Sequence, residues 1–216
     1  MSARPFTEQE YLTLVDHLTA SGRPRDALLV VLGCATGYRI QELLSITIGQ
    51  VWDGQDVAHE ITVARRDLKG GKGMHKKAIR GRRVPLSEAV RDAIRDHLVI
   101  AGTADPQRAL FATNRSEGGA MHRSRAFCLL VEACGECGID TTRISNHSYR
   151  KTFVGRIYAA SGHDLIRTQR IVQHASPVTT ARYIETDAGE MDALVRNLTV
   201  AAPRPLASVV SITAAA

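Results

Sequence analysis

Three short segments hold residue types that can carry out acid–base and phosphate chemistry. The first segment contains Arg39, and the second contains His147 and Arg150. The third contains His174 and Tyr183. A phenol has a reference pKa of about 10, so it attacks phosphorus only when a nearby base helps it lose its proton. Planar guanidinium groups stabilise the phosphate oxygens, so together these segments can cleave a phosphodiester without a metal ion.

Taken singly, each of these residues has a more ordinary interpretation. His147 and Arg150 lie three positions apart on a predicted helix, where a surface pair is common. His174 lies in a predicted loop, where a capping histidine is common, and Tyr183 alone would be a partly buried core residue. The ordered combination, not any one member, favours a shared site.

Basic residues are concentrated in residues 65–83. That segment holds nine Lys and Arg against one Asp, a net charge of +8, so the rest of the chain carries −2 of the overall +6. Concentrated Lys and Arg release counterions from a nucleic-acid backbone, whereas an isolated charge run is commonly a solvated loop. We predict double-stranded DNA as the partner, with these DNA-binding residues: Arg65, Arg66, Lys72, Lys76, Lys77, Arg80 and Arg82.

Size and composition limit the other classes of protein. A chain of 216 residues fits one domain with a substantial core. It has no apolar run of ~18 residues and no secretion signal near Met1, so we predict a cytoplasmic protein without membrane contact. Cys134 and Cys137 have CxxC spacing, but no second pair completes a zinc site. We expect reduced, mostly buried thiols and no metal or cofactor.

Capping signals and apolar spacing predict the helices that position these segments. Thr7 and Glu10 form a capping box, and Ser176 followed by Pro177 is a strong helix start. The latter helix should carry Thr180 and Tyr183. The other predicted helices begin at about Glu8, Pro24, Tyr38 and Ser87, or span Ser124–Cys134, Asn146–Ala160, Asp164–Gln173 and Glu190–Leu198.

Three β-prone runs predict a small antiparallel sheet beside the helices. They are Gln50–Trp52, Glu60–Ala64 and Arg82–Leu86. The second and third strands flank the basic segment, which would form a long hairpin. The predicted fold class is therefore α+β, mainly helical, with a three-stranded antiparallel sheet.

The three segments resemble the sequence boxes of the tyrosine recombinases, also called the phage integrase family. Residues 36–44 (TGYRIQELL) resemble the first arginine box, and residues 147–153 (HSYRKTF) resemble the His-x-x-Arg box. His174 with residues 179–183 (TTARY) resembles the nucleophile box. The resemblance covers about residues 7–198 and implies the tyrosine-recombinase catalytic fold.

The resemblance also implies a role for each residue. Tyr183 would form a 3′-phosphotyrosyl link and free a 5′ hydroxyl, while Arg39 and Arg150 hold the phosphate. His147 would be the acid/base partner, and His174 would donate a hydrogen bond to a phosphate oxygen. The expected function is site-specific DNA recombination or integration by a mobile element, independent of metal and ATP. Alternatives are a type IB-like topoisomerase and a catalytically silent DNA-binding regulator.

Two further residues are assigned from the resemblance. The family's general-acid lysine lies between the second and third strands, and counting forward from the second strand favours Lys69. Lys72 and Lys77 remain alternatives, since counting back from the third strand favours Lys77. Glu42 resembles the acidic residue that supports the first arginine, although a solvated helix carboxylate fits nearly as well.

The family pattern also predicts domain organisation and assembly. Residues 1–200 would form the catalytic domain, and residues 201–216 a tail that docks onto a neighbouring protomer. The N-terminal helical domain usual in the family has no counterpart before Thr7, which fits either an excised catalytic domain or a short one-domain recombinase. We expect a monomer in solution and a tetramer on paired DNA sites in a bacterial or phage setting.

Overall fold

The computed structural model describes residues 2–63, 81–102, 105–113, 119–174, 176–184 and 196. Residues Met1–Ile184 form one compact unit and Glu185–Ala216 a second, of which only Arg196 is described. The described helices are α1 (Glu8–Ala20), α2 (Pro24–Thr36), α3 (Ile40–Leu44), α4 (Ile48–Val51), α5 (Glu88–Ala101), α6 (Arg123–Glu136), α7 (Asn146–Ala160), α8 (Leu165–Ile171) and α9 (Pro177–Ala181). The described strands are β1 (Glu60–Val63) and β2 (Arg82–Pro85).

Helix α2 is the centre of the first unit. Its sequence is apolar on nearly every side, so it can be buried between other helices, and it packs against α1, α5 and α7. Leu28 and Leu32 belong to a core shared with α5 and the strands, while Val30 and Cys34 belong to a second core shared with α1 and α6. The carboxyl end of α2 is therefore held from several directions, and it leads directly to Arg39.

The predicted helix starts are confirmed where a capping residue marked them. Thr7 accepts a hydrogen bond from the Glu10 backbone N–H at 3.1 Å, and the Glu10 carboxylate accepts one from the Thr7 N–H at 2.9 Å. Ser176 accepts from the Val178 N–H at 3.2 Å, one residue after Pro177. These contacts satisfy N–H groups that the first helical turn leaves unpaired.

The sheet differs from the prediction in one strand. Strands β1 and β2 pair antiparallel with Ile61 opposite Val84, as predicted. The proposed strand Gln50–Trp52 is wrong, because residues 48–51 form α4. The Thr47 N–H donates to the Gln50 side chain at 2.9 Å in a capping box, which favours a helical turn over β-propensity. The described sheet therefore has two strands.

Several predictions lie outside the described residues. They concern the basic segment up to residue 80, with Lys69, the helix Glu190–Leu198 apart from Arg196, and the tail 201–216. Within the described ranges, no helix is long and apolar enough to cross a membrane. All four cysteines are free thiols; Cys34 and Cys134 are buried, Cys137 is half-buried and Cys128 is exposed.

Candidate active site

The turn after α2 fixes the first part of the site. Gly37 ends the helix in the left-handed conformation with φ of 57°, and its N–H donates to the Gly33 carbonyl at 3.0 Å. A Cβ at position 37 would lie 2.3 Å from Cδ1 of Phe153 on α7. Glycine is required on both counts, and the turn brings the Gly37 carbonyl close to α7.

Arg39 is held by the carboxylate of Glu42. Glu42 is only 1% exposed, and its two oxygens accept from the Arg39 N–H and from Arg39 Nη1, each at 2.8 Å. The same carboxylate therefore caps the amino end of α3 and orients the guanidinium of Arg39. The interpretation of Glu42 as a supporting residue fits these contacts, and that of a solvated carboxylate does not.

Arg150 lies on the inner face of α7 and is 2% exposed. Its Nη1 donates to the Gly37 carbonyl, while its Nε is buried with no hydrogen-bond acceptor among the described residues. Burial lowers the pKa of Arg150, and the positive charge of Arg39 lowers it further. A buried cation with an unused N–H favours an incoming anion.

Tyr183 lies beside Arg150, but not on a helix as predicted. Helix α9 ends at Ala181, and the Tyr183 N–H donates to the Thr180 carbonyl at 2.9 Å in the following turn. The ring packs against the cluster of Phe153, Val154 and Val172, and Cζ of Arg150 is 5.7 Å from its centroid. Tyr183 is half-buried, so the phenol is oriented by packing yet reachable.

His174 also packs against Tyr183. The two ring centroids are 5.1 Å apart, and His174 Nδ1 is 3.0 Å from the Thr180 hydroxyl oxygen. Burial lowers the pKa of His174 to about 4, with the charge of Arg150 as the next cause. The ring is therefore neutral at pH 7, and its Nε2 is buried without a partner in the described structure. The contact of Thr180 with His174 was not predicted, although Thr180 lies in the segment that resembles the nucleophile box, because sequence spacing does not show which side chain faces the histidine.

His147 reaches the site from the amino end of α7. It is exposed, and its backbone N–H donates to the Ser145 hydroxyl at 3.1 Å. A surface cleft of about 460 Å³ brings it together with the proposed nucleophile. The residues lining this cleft are Ser2, Ala3, Ser145, His147, Lys151, Thr179, Arg182 and Tyr183.

The sequence predicted that Arg82 contacts DNA at the surface, but the structure places this side chain in the interior. It is 5% exposed at the start of β2, and its guanidinium donates to the Gly37 carbonyl at 3.0 Å and the Thr36 carbonyl at 2.6 Å. Burial, followed by the charge of Arg150, lowers the pKa of Arg82 to about 10. The other predicted DNA-binding residues and Lys69 lie outside the described residues.

The assembled site is suited to binding an anion. Arg82 and Arg150 converge on the Gly37 carbonyl, and Arg39 is close enough for its charge to lower the pKa values of both. The negative charge of Glu42 acts in the opposite direction and raises the pKa values of Arg82 and Arg150. These donors are already in place, and nearby negative charge does not neutralise them fully. They can therefore stabilise a bound phosphate, and they stabilise it more strongly when the phosphate gains negative charge during a reaction.

A mainly helical domain that presents a phenol beside arginines and histidines has the architecture of a tyrosine-recombinase catalytic domain. The sequence model of the phage integrase family matches residues 4–190. The chain belongs to the phage integrase family.

Related sequences include tyrosine recombinases of bacteria. The chain is 30% identical over 170 residues to "Tyrosine recombinase XerD" of Corynebacterium glutamicum, covering 77% of this chain and 50% of that protein. It is 27% identical over 186 residues to "Probable integrase/recombinase YoeC" of Bacillus subtilis, covering 85% of this chain and 90% of that protein. The chain thus spans about half the length of the first relative and most of the second.

Solved structures confirm the fold. XerA recombinase aligns with a TM-score of 0.68 at 22% identity, covering 91% of this chain and 65% of that one. XerH site-specific recombinase, bound to palindromic difH substrate in a post-cleavage complex, aligns with a TM-score of 0.67 at 20% identity. That alignment covers 89% of this chain and 52% of the XerH chain.

Proposed function

We propose that this protein is a site-specific recombinase that cleaves and rejoins DNA through a 3′-phosphotyrosine intermediate. The observation that carries the proposal is the position of Tyr183 beside both Arg150 and His174, whose buried Nε and Nε2 atoms lack hydrogen-bond partners in the described structure. A scissile phosphate placed against Tyr183 would provide an acceptor for the Arg150 Nε–H, and for His174 Nε2 in the tautomer that carries a proton there. The XerH neighbour, solved bound to difH substrate, supports DNA as the partner.

The proposed reaction is an in-line displacement at phosphorus. The Tyr183 oxygen forms a bond to phosphorus as the bond to the 5′ oxygen breaks, and His147, on the same cleft, accepts the phenolic proton. Arg39, Arg150 and His174 donate to the nonbridging oxygens as charge develops there. Lys69, in the basic segment, protonates the departing 5′ oxygen.

Rejoining is the same step in reverse. A 5′ hydroxyl attacks the phosphotyrosine, Tyr183 leaves as a phenol, and the bond energy conserved in the intermediate makes ATP unnecessary. The arginines and the lysine stabilise the charge that a metal ion neutralises in many nucleases. Recombination requires two duplexes, so we propose a monomer in solution that forms a tetramer on paired sites.

The test is covalent trapping on DNA. A pool of nicked duplexes with a randomised core is incubated with the protein, and molecules attached to it after denaturation are sequenced. A duplex of the most enriched sequence then serves as the probe. We expect the wild-type chain to become covalently attached and Tyr183→Phe to bind the probe without attaching.

The matched control is Tyr158→Phe, the same change on α7 at a ring that packs against His163. It should attach like the wild type. If the wild-type chain binds duplex DNA but never attaches, the protein is a DNA-binding regulator and the proposal fails. If it relaxes supercoiled plasmid without site preference, the topoisomerase alternative is correct.

The tail 201–216 is proposed to dock onto the neighbouring protomer. Deleting it should leave attachment to a single nicked duplex unchanged and remove cooperativity in the binding of paired sites, measured by mobility shift. Unchanged cooperativity would contradict the docking role.

A further inference from the structure

Arg82 shares one backbone acceptor with the arginine that is proposed to hold the phosphate. Arg82 Nη1 and Arg150 Nη1 both donate to the carbonyl of Gly37. A carbonyl oxygen has two lone pairs and can accept from two donors, and here both donors are guanidinium groups. The position of Arg150 is therefore determined together with that of Arg82.

Arg82 is itself fixed by contacts on each side. Its Nη2 donates to the Thr36 carbonyl at 2.6 Å, and its Cζ lies 4.9 Å from the Tyr38 ring centroid and 5.8 Å from that of Phe153. The two carbonyls belong to the end of α2, where helical carbonyls lack intrahelical partners. Arg82 thus closes α2 with a cation, which also suits the negative end of the helix dipole.

Arg82 also connects this turn to the base of the basic segment. The Tyr38 hydroxyl is 2.9 Å from the Arg82 carbonyl and 2.8 Å from the Ile61 carbonyl, so it bridges β2 and β1. Strand β2 begins at Arg82, so its first residue belongs to the carboxyl end of the basic segment 65–83. The buried side chain of Arg82 thus links the start of β2 to the Gly37 turn and, through the shared carbonyl, to Arg150.

We propose that Arg82 is a positioning residue that acts through Gly37 to hold Arg150 in the orientation needed for phosphate binding. This inference rests on the proposed function. It replaces the sequence-based expectation that Arg82 grips the DNA backbone, because a guanidinium buried on two carbonyls is not exposed to a phosphate chain. For the other predicted DNA-binding residues, contact with the DNA backbone stays a prediction.

The informative variant is Arg82→Lys, because it keeps the charge but loses the planar fork that spans two carbonyls and stacks on Tyr38. We expect the rate constant for covalent attachment at saturating nicked duplex to fall roughly tenfold to a hundredfold, the usual result of a small misplacement of a catalytic group. The Kd for the same DNA should change by less than about twofold, because a buried cation releases few counterions. The matched control is Arg125→Lys on α6, outside the basic segment, where the side chain is exposed. It should change neither quantity.

A double-mutant cycle separates positioning from general loss of structure. In an Arg150→Ala background, Arg82→Lys should change the remaining attachment rate by less than about twofold, since the group on which it acts is absent. A merely structural role predicts the same loss in both backgrounds, which would overturn the inference. A large change in Kd with an unchanged rate constant would instead make Arg82 a DNA-gripping residue.

A measurement on the free protein keeps this inference distinct from the proposed function. The Arg150 Nε–H is buried, so it should give a protected signal in a ¹⁵N NMR spectrum of arginine side chains. Arg82→Lys should broaden or shift that signal, and Arg125→Lys should not. An unchanged Arg150 signal overturns the positioning role, whereas failure of the wild-type protein to attach to DNA overturns only the proposed recombinase function.

Discussion

The buried carboxylate of Glu42 organises Arg39 through two hydrogen bonds made by different oxygens. Glu42→Gln supplies one acceptor oxygen and turns an N–H group toward the donors of Arg39. We expect a loss of roughly 1–3 kcal/mol in the free energy of unfolding, the usual cost of an unsatisfied buried group. The rate of covalent attachment should fall as well, because Arg39 loses its fixed orientation. Urea unfolding and trapping on the nicked duplex measure the two effects.

Glu10 offers a matched control for this change. It accepts from the Thr7 N–H at 2.9 Å and from Arg4 at 2.7 Å, the same arrangement of a capping carboxylate and an arginine, on α1. Glu10→Gln should lower stability without lowering the attachment rate of the folded protein. Equal losses of attachment in the two variants would show that Glu42 contributes stability alone.

His174 makes stability depend on pH. Its pKa is lowered from 6.5 to about 4 by burial and by nearby arginines, so between these values the unfolded chain binds a proton that the folded chain excludes. Stability from this residue is complete above pH 6.5 and is lost as the pH falls toward 4, by up to about 3 kcal/mol. We expect His174→Asn to flatten the urea unfolding free energy over that range. An equally steep decline in the variant would mean that other groups account for it, such as His97, whose pKa is also lowered by burial.

At the scale of elements, the Gly37 turn ends α2 and packs directly against Phe153 of α7. Gly37→Ala would place a methyl group 2.3 Å from Phe153 in a left-handed turn, so it should cost more than the roughly 1–2 kcal/mol of the backbone conformation alone. Gly22→Ala is the control, because φ there is 67° and a Cβ meets nothing within 4 Å. Urea unfolding of both variants measures the difference. Equal losses would show that Phe153 adjusts freely.

The sequence was informative about elements wherever a single residue determines a boundary. Thr7 and Ser176 cap helices that begin where predicted, because a side chain oxygen satisfies a backbone N–H locally. Residues 48–51 were mistaken for a strand, because the capping box of Thr47 outweighs the β-propensity of Val51 and Trp52. Tyr183 was placed on a helix, but α9 ends at Ala181.

The candidate site was predictable in its residue types but not in its long-range contacts. Nothing near Arg82 in the chain indicates that its guanidinium reaches Thr36 and Gly37, more than forty positions away. The same holds for the packing of His174 against Tyr183, because two ring positions are set by tertiary contacts rather than by spacing. Motif order indicated the chemistry proposed for these residues, and the fold shows which groups hold their side chains in place.

At the scale of the whole molecule, charge is divided between a basic segment and a slightly acidic remainder, at +8 for residues 65–83 and −2 elsewhere. If the basic segment contacts the DNA backbone, removing two of its charges should weaken binding mainly at low salt. We expect Lys76→Gln with Lys77→Gln to reduce the slope of log K against log salt concentration by about 2, close to one unit per lost phosphate contact. Fluorescence anisotropy with a duplex probe at several salt concentrations measures the slope. The control pair is Arg125→Gln with Arg167→Gln, exposed residues on α6 and α8 that remove the same net charge. If both pairs reduce the slope equally, DNA senses the overall charge of the protein and not the basic segment.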